Sequence, residues 1–114
     1  MRTISSSVLI FVLCACSGQK DRIYSTESGA IAGYDPVAYF LNEMPVKGVN
    51  AFTCMWNGAR WYFSSEENKN LFEESPDSYV PQYGGYCAYA VSQGYTAKVD
   101  PNSWKIVDGK LYLN

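Results

Sequence analysis

Histidine is missing from all 114 residues, which removes the commonest metal ligand and the side chain that most readily moves protons near neutral pH. Cysteine is scarce. Of the four, Cys14 and Cys16 lie close to the start, leaving Cys54 and Cys87 for the rest of the chain. Tetrahedral zinc needs about four Cys or His ligands, so two thiols do not make a zinc finger. An excess of one charge is also lacking: nine Lys and Arg stand against eleven Asp and Glu, interspersed, for a formal net charge of −2. Without a concentrated basic surface there is no footprint for nucleic acid. No phosphate-cradling loop is present, and Ser64 and Ser65 have neither a His nor an obvious Lys as base. Glu66, Glu67, Glu73 and Glu74 read as the solvated face of a helix rather than as a catalytic dyad. These absences lean away from an enzyme.

The first residues form a different kind of segment. Arg2 is the one charge before Val8-Leu9-Ile10-Phe11-Val12-Leu13, an apolar run too short to span a bilayer. That is the pattern of a signal peptide over residues 1–15. Leu13-Cys14-Ala15-Cys16 resembles a bacterial lipobox, with Cys16 as the residue that would carry the lipid. The polar, Ser- and Gly-bearing stretch from Cys16 to Ala30 then reads as a flexible tether. The expectation is an exported protein whose partner is a membrane through its lipid anchor, on the periplasmic side. Ser17 directly after the anchor suggests sorting to an outer membrane.

Residues 31–114 are enough for one domain and no more. Ten Tyr, five Phe and three Trp make the sequence 16% aromatic, which supplies burial to a chain this small. Asp35-Pro36 is a good helix start, and a short helix is predicted over 36–41. Residues 50–63 read as a hairpin turning on Asn57-Gly58, with Phe52, Cys54 and Trp56 on one face. Ser64 as N-cap with Glu67 three places on opens a second helix that ends near Ser75-Pro76. The 81–85 segment is a loop whose Gly84 and Gly85 allow positive φ or close approach of a ligand. Residues 86–91 are predicted helical, because Gly94 sits where a C-terminal cap belongs. A second hairpin, 104–113, turns on Asp108-Gly109. The fold class is therefore α+β: two hairpins in one antiparallel sheet, with short helices packed on it.

Several chemistries stay open at the cysteines. Cys54 and Cys87 in an oxidising envelope can form a disulfide that adds about 3–4 kcal/mol in the chain-entropy model. They can also be two separate buried thiols, or a soft-metal pair for copper(I) with Met55 or Met44, or Cys87 can be a reactive thiol. Among the aromatics, Tyr34, Tyr39, Trp56, Trp61, Tyr62, Tyr83, Tyr86 and Tyr89 are candidates to line a pocket for a flat or cationic ligand, against a default of core packing.

Three segments, GYDPVAYF (33–40), WNGARWYFSSEENKNLFEESPDSYVPQYGGYCAYAVSQG (56–94) and DPNSWKIVDGKLYLN (100–114), resemble the exported, lipoprotein branch of the YHS-domain family. The resemblance implies a small α+β domain related to TRASH-like metal modules, usually exported, with GGYCA as a family feature that draws attention to Cys87. It also implies a further helical stretch after the LYLN segment in exported relatives. Zinc-binding relatives of treble-clef type place thiols at the end of a hairpin and in the following helix, where this chain has Ser64 and Asn68. The functional expectation is a small binding module of the cell envelope, taking a metal or a small ligand around Cys87, Tyr86, Gly84 and Gly85. A thiol-redox enzyme using Cys87, and a structural or protein-interaction domain stapled by Cys54 and Cys87, are the alternatives.

Overall fold

The computed structural model describes residues 22–114. The expected leader (1–15), the anchor Cys16 and the tether as far as Asp21 lie outside the described residues.

From Arg22 on, the chain is already built into the fold. Strands β1 (Ser25–Thr26) and β2 (Gly29–Ala30) pair as a small antiparallel hairpin, and Ala30 is fully buried. The domain thus begins earlier than residue 31, and the described end of the expected tether is paired and packed. Its polar Ser, Thr and Glu occupy the exposed turn, while Ile23 packs against the core. Ile31, Ala32 and Gly33 follow with φ of 43°, 59° and 84°. A left-handed, β-branched Ile is strained. It is held by its amide, which donates to the Tyr24 carbonyl at 2.8 Å, and by complete burial of its side chain.

Helix α1 (Ala38–Leu41) lies within the predicted 36–41 and starts two residues later, and the chain then runs to β3 (Val49–Trp56). Strand β3 pairs antiparallel with β4 (Ala59–Phe63) through Cys54 opposite Trp61 and Trp56 opposite Ala59, with a bulge between Val49 and Thr53. Asn57 and Gly58 both have positive φ, 52° and 81°, as a type I′ turn requires. Helix α2 (Glu66–Glu74) and the single turn α3 (Pro76–Tyr79) follow, then a tight turn at Gln82–Gly85 and helix α4 (Ala88–Ser92). The final hairpin, β5 (Trp104–Val107) with β6 (Lys110–Leu113), turns on Asp108 and Gly109 at φ of 54° and 76°. The class is α+β as expected. The two predicted hairpins do not join into one sheet, however: each is a separate two-stranded sheet, with β1–β2 as another. They meet through side chains rather than through a shared hydrogen-bond ladder.

The meeting place is aromatic. Trp61, Phe63 and Phe72 are fully buried, with ring centroids 5.2 Å apart for Trp61–Phe72 and 5.3 Å for Phe63–Phe72. Trp56 closes this cluster edge-on, and the Trp61 indole N–H donates to the Trp56 carbonyl at 3.0 Å. Leu111 and Leu113 of β6 and Tyr39 of α1 complete the core.

One polar group sits inside it. Asp35 is fully buried, and both its carboxylate oxygens are engaged. Oδ1 accepts from the amides of Val37 (2.8 Å) and Ala38 (3.3 Å). Oδ2 accepts from the Ser64 amide (2.8 Å), the Ser64 hydroxyl (2.8 Å) and the Asn68 side-chain amide (2.9 Å). The carboxylate therefore ties the start of α1 to the β4–α2 junction. The same bonds shift the helix cap by one residue from its predicted place: Ser64 is turned toward Asp35, and Ser65 is the N-cap, accepting from the Asn68 amide at 3.1 Å.

Asp35→Ala leaves several buried donors unpaired and is expected to cost on the order of 4 kcal/mol. Asn68→Ala, which removes one donor, is expected to cost about 1–2 kcal/mol. Urea unfolding checks both, and equal small losses would sink the assignment of Asp35 as a hub.

A second expectation concerns pH. Burial, reinforced by Tyr34, Asp100 and Asp35, raises the Tyr39 phenol above its ordinary value of about 10. Its hydroxyl donates to the Pro101 carbonyl at 2.7 Å. The folded state thus holds this proton more tightly, so the contribution is complete below about pH 10 and is lost as pH rises beyond it. Thermal melts between pH 8 and 11 should show this alkaline loss, and Tyr39→Phe should flatten it.

Candidate functional site

The turn between β3 and β4 and the segment from α3 to the Gln82–Gly85 turn face each other across a cleft of about 390 Å³. Its lining includes Trp56 and Asn57 from the hairpin, Asp77, Val80, Gln82, Tyr83 and Gly84 from the later segment, and Ile23. Each wall is fixed for a local reason. Trp56 is half-buried and immobilised by its edge contacts with Trp61 (6.1 Å) and Phe72 (5.8 Å). Tyr83 has a left-handed backbone, φ 60°, yet leaves 49% of its surface exposed. A non-glycine residue in that region is strained, so something must impose it.

Tyr83 is the first residue of a left-handed run that continues through the glycine pair beside it. Gly84 and Gly85 have φ of 67° and 91°. A side chain on Gly84 would collide with the Arg22 carbonyl, and one on Gly85 with the Ile31 side chain. The Gly84 carbonyl accepts from the Tyr24 amide at 2.9 Å, and the Tyr86 amide donates to the Tyr83 carbonyl at 3.1 Å. The close approach that the two glycines allow is thus made by the chain's own N-terminal hairpin rather than by a ligand. Tyr86 packs edge-on against Tyr24, at 5.5 Å, and serves the same docking.

Cys87 lies just beyond this turn, half-buried, its Sγ 3.8 Å from Asn114 Oδ1, which also accepts from the Tyr89 amide. Cys54 sits on β3 opposite Trp61 and packs against the aromatic core. Burial, with Glu73 adding to it and Lys69 opposing it, pushes the Cys54 thiol up from its ordinary value. Both cysteines are free thiols with different neighbours, so of the alternatives left open at these residues the Cys54–Cys87 disulfide is not formed here. The reason is topological: one thiol faces the first hairpin's core and the other the end of the second hairpin. Among the described residues no three of His, Cys, Asp and Glu come together as a metal site.

The positions that carry thiols in zinc-binding relatives can be tested directly. Ser64 and Asn68 are spent as donors to Asp35, and the two oxygens of that carboxylate are themselves saturated by N–H and O–H groups. A divalent ion placed there would displace every one of these bonds and find no thiolate or imidazole in exchange. The residues present do not fit a zinc site.

Of the aromatic candidates, Tyr39 and Trp61 are core, Tyr34 lies under the Lys47 ammonium, and Tyr89 is exposed. Trp56 and Tyr83 alone among the eight candidates line the cleft. Sequence reasoning missed Asp77, whose only sequence signal is its place between two proline-marked turns. It also missed the joint role of Asp35, Ser64 and Asn68, whose separate local readings concealed a common partner.

Comparison with curated proteins and with solved structures gave no match. Among the described residues no helix is long and apolar enough to cross a membrane. Residues 37–83, from the start of α1 through both strands of the first hairpin to Tyr83 in the cleft wall, match the family model of the YHS domain, which supports the YHS-domain family for this chain.

Proposed function

We propose that this is an exported, lipid-anchored YHS-domain protein acting as a small-ligand binding module of the cell envelope, with the cleft beside Trp56 and Tyr83 as its binding site. The observation that carries this reading is Tyr83. An exposed aromatic held in a left-handed conformation, lining an open cleft together with a Trp that is packed against Trp61 and Phe72, is a preorganised contact surface. The metal-handling version of the module is weaker, because Cys87 and Cys54 have separate surroundings and the Asp35 cluster is saturated. For the thiol-redox version, the partner of the Cys87 thiol among the described residues is the Asn114 side-chain amide oxygen, which is not a base. Export and anchoring rest on Arg2, the apolar run 8–13 and Leu13-Cys14-Ala15-Cys16.

Two experiments test the two halves. Cells expressing the full chain and fed an alkyne-tagged fatty acid should label the wild-type protein and not Cys16→Ser, with the protein in the envelope fraction. Labelling that survives the substitution, or a cytosolic location, removes the anchor. For the site, melting temperatures of the detergent-solubilised lipoprotein are compared with cationic, anionic and neutral small organic compounds and with copper(I) and zinc. An organic compound should raise the melting temperature in a way that Trp56→Leu abolishes, and the metals should not. A copper(I) effect lost on Cys87→Ser would restore the metal reading instead.

A further inference from the structure

We infer that the cleft takes a small organic cation, an amine or quaternary ammonium group, held between the Trp56 and Tyr83 rings and the Asp77 carboxylate. The inference deepens the proposed binding reading and rests on it. Charge is the first argument. Among the described residues lining the cleft, Asp77 is the one charged side chain, with no described Lys or Arg beside it. Asp77 is exposed, and no hydrogen bond or ion pair joins it to any described residue, the ion pair of the described residues being Lys69–Glu73. An anion would meet this carboxylate with nothing to offset it, whereas a cation gains from it.

The ring chemistry is the second argument, and it is independent of the first. The faces of Trp and Tyr attract cations through the ring quadrupole, Trp most strongly. Both rings have aromatic neighbours that restrict them, Trp56 packing on Trp61 and Phe72 and Tyr83 on Tyr112 at 6.1 Å. Little side-chain freedom is left to lose on binding. A bare metal ion is the poorer occupant, because hard divalent cations ask for six or more oxygens at close range. Here one carboxylate, two side-chain amides and aliphatic and ring carbon share the lining. A cation that carries its own apolar surface uses both kinds of wall.

The test uses choline and tetramethylammonium as probes against 3,3-dimethylbutan-1-ol, which has the shape of choline without the charge. The readout is the indole N–H signals of the isotopically labelled full-length lipoprotein in non-ionic detergent, with the Trp56 signal assigned through Trp56→Phe. The cationic probes should shift the Trp56 signal and leave that of Trp104 in place, and the neutral compound should bind about tenfold more weakly or worse. Asp77→Asn should weaken choline binding about tenfold while leaving the melting temperature unchanged, since Asp77 has no structural partner. Equal binding of choline and its neutral counterpart, or an unchanged affinity in Asp77→Asn, would overturn the cation inference while leaving a ligand cleft. No shift at Trp56 with these probes, combined with a stabilising compound from another chemical class, would do the same. No shift with any organic compound would remove the binding reading itself.

Discussion

The buried carboxylate of Asp35 is the constraint on which the arrangement of the first half of the domain depends. A carboxylate taken out of water is expensive unless its oxygens are filled with donors, and here five donors fill them without any cation. Because the donors come from two places far apart in sequence, satisfying the charge is the same event as docking α1 onto the β4–α2 junction. That docking fixes where α2 begins, and hence which side of α2 faces the hairpin. Phe72 is then delivered between Trp61 and Phe63 rather than to solvent. The aromatic core follows from the carboxylate's geometry as much as from hydrophobicity.

A comparable logic operates at the other end of the domain. A small chain with separate two-stranded sheets needs contacts to hold them, and among the described residues there is neither a disulfide nor a cluster of three His, Cys, Asp and Glu. The N-terminal hairpin does the work by lying against the Gln82–Gly85 turn, where the missing side chains of Gly84 and Gly85 leave room for Arg22 and Ile31. Strain at Ile31 and at Tyr83 is the consequence, since both backbones bend left-handedly to meet across that contact. Burial of Ile31 offsets one. Tyr83 has no such offset.

Much of the fold was legible in the sequence because the signals were local. Asn57-Gly58 and Asp108-Gly109 specify type I′ turns by chirality alone, and both hairpins stand where those pairs put them. Asp35-Pro36 and Ser-Ser-Glu-Glu mark helix starts through backbone donors a few residues away. What failed was long-range. Ser64 is a good cap by its own pattern, but a buried carboxylate 29 positions earlier outcompetes the helix for its hydroxyl, and the cap moves to Ser65. Two hairpins with apolar faces suggested one sheet, yet edge pairing competes with face packing, and no local signal decides between them. The polar composition of residues 22–30 read as tether because strands of two residues carry no periodicity.

The candidate site was legible only as a set of aromatic residues without an address. Cys87 and the glycine pair drew attention because cysteine and glycine are chemically distinctive, and the structure assigns the glycines to chain packing. The cleft borders the same turn, with Gly84 and Ile23 in its lining beside Tyr83. The N-terminal segment meets Gly84 through the Arg22 and Tyr24 backbone, one residue from Tyr83, so that contact and the cleft share this turn. Docking the N-terminal hairpin and shaping the cleft therefore meet at one turn. A domain whose N-terminal hairpin (β1–β2) were detached would lose a constraint on the Gln82–Gly85 turn, and with it part of the preorganised wall, even with Trp56, Asp77 and Tyr83 all still present in the chain.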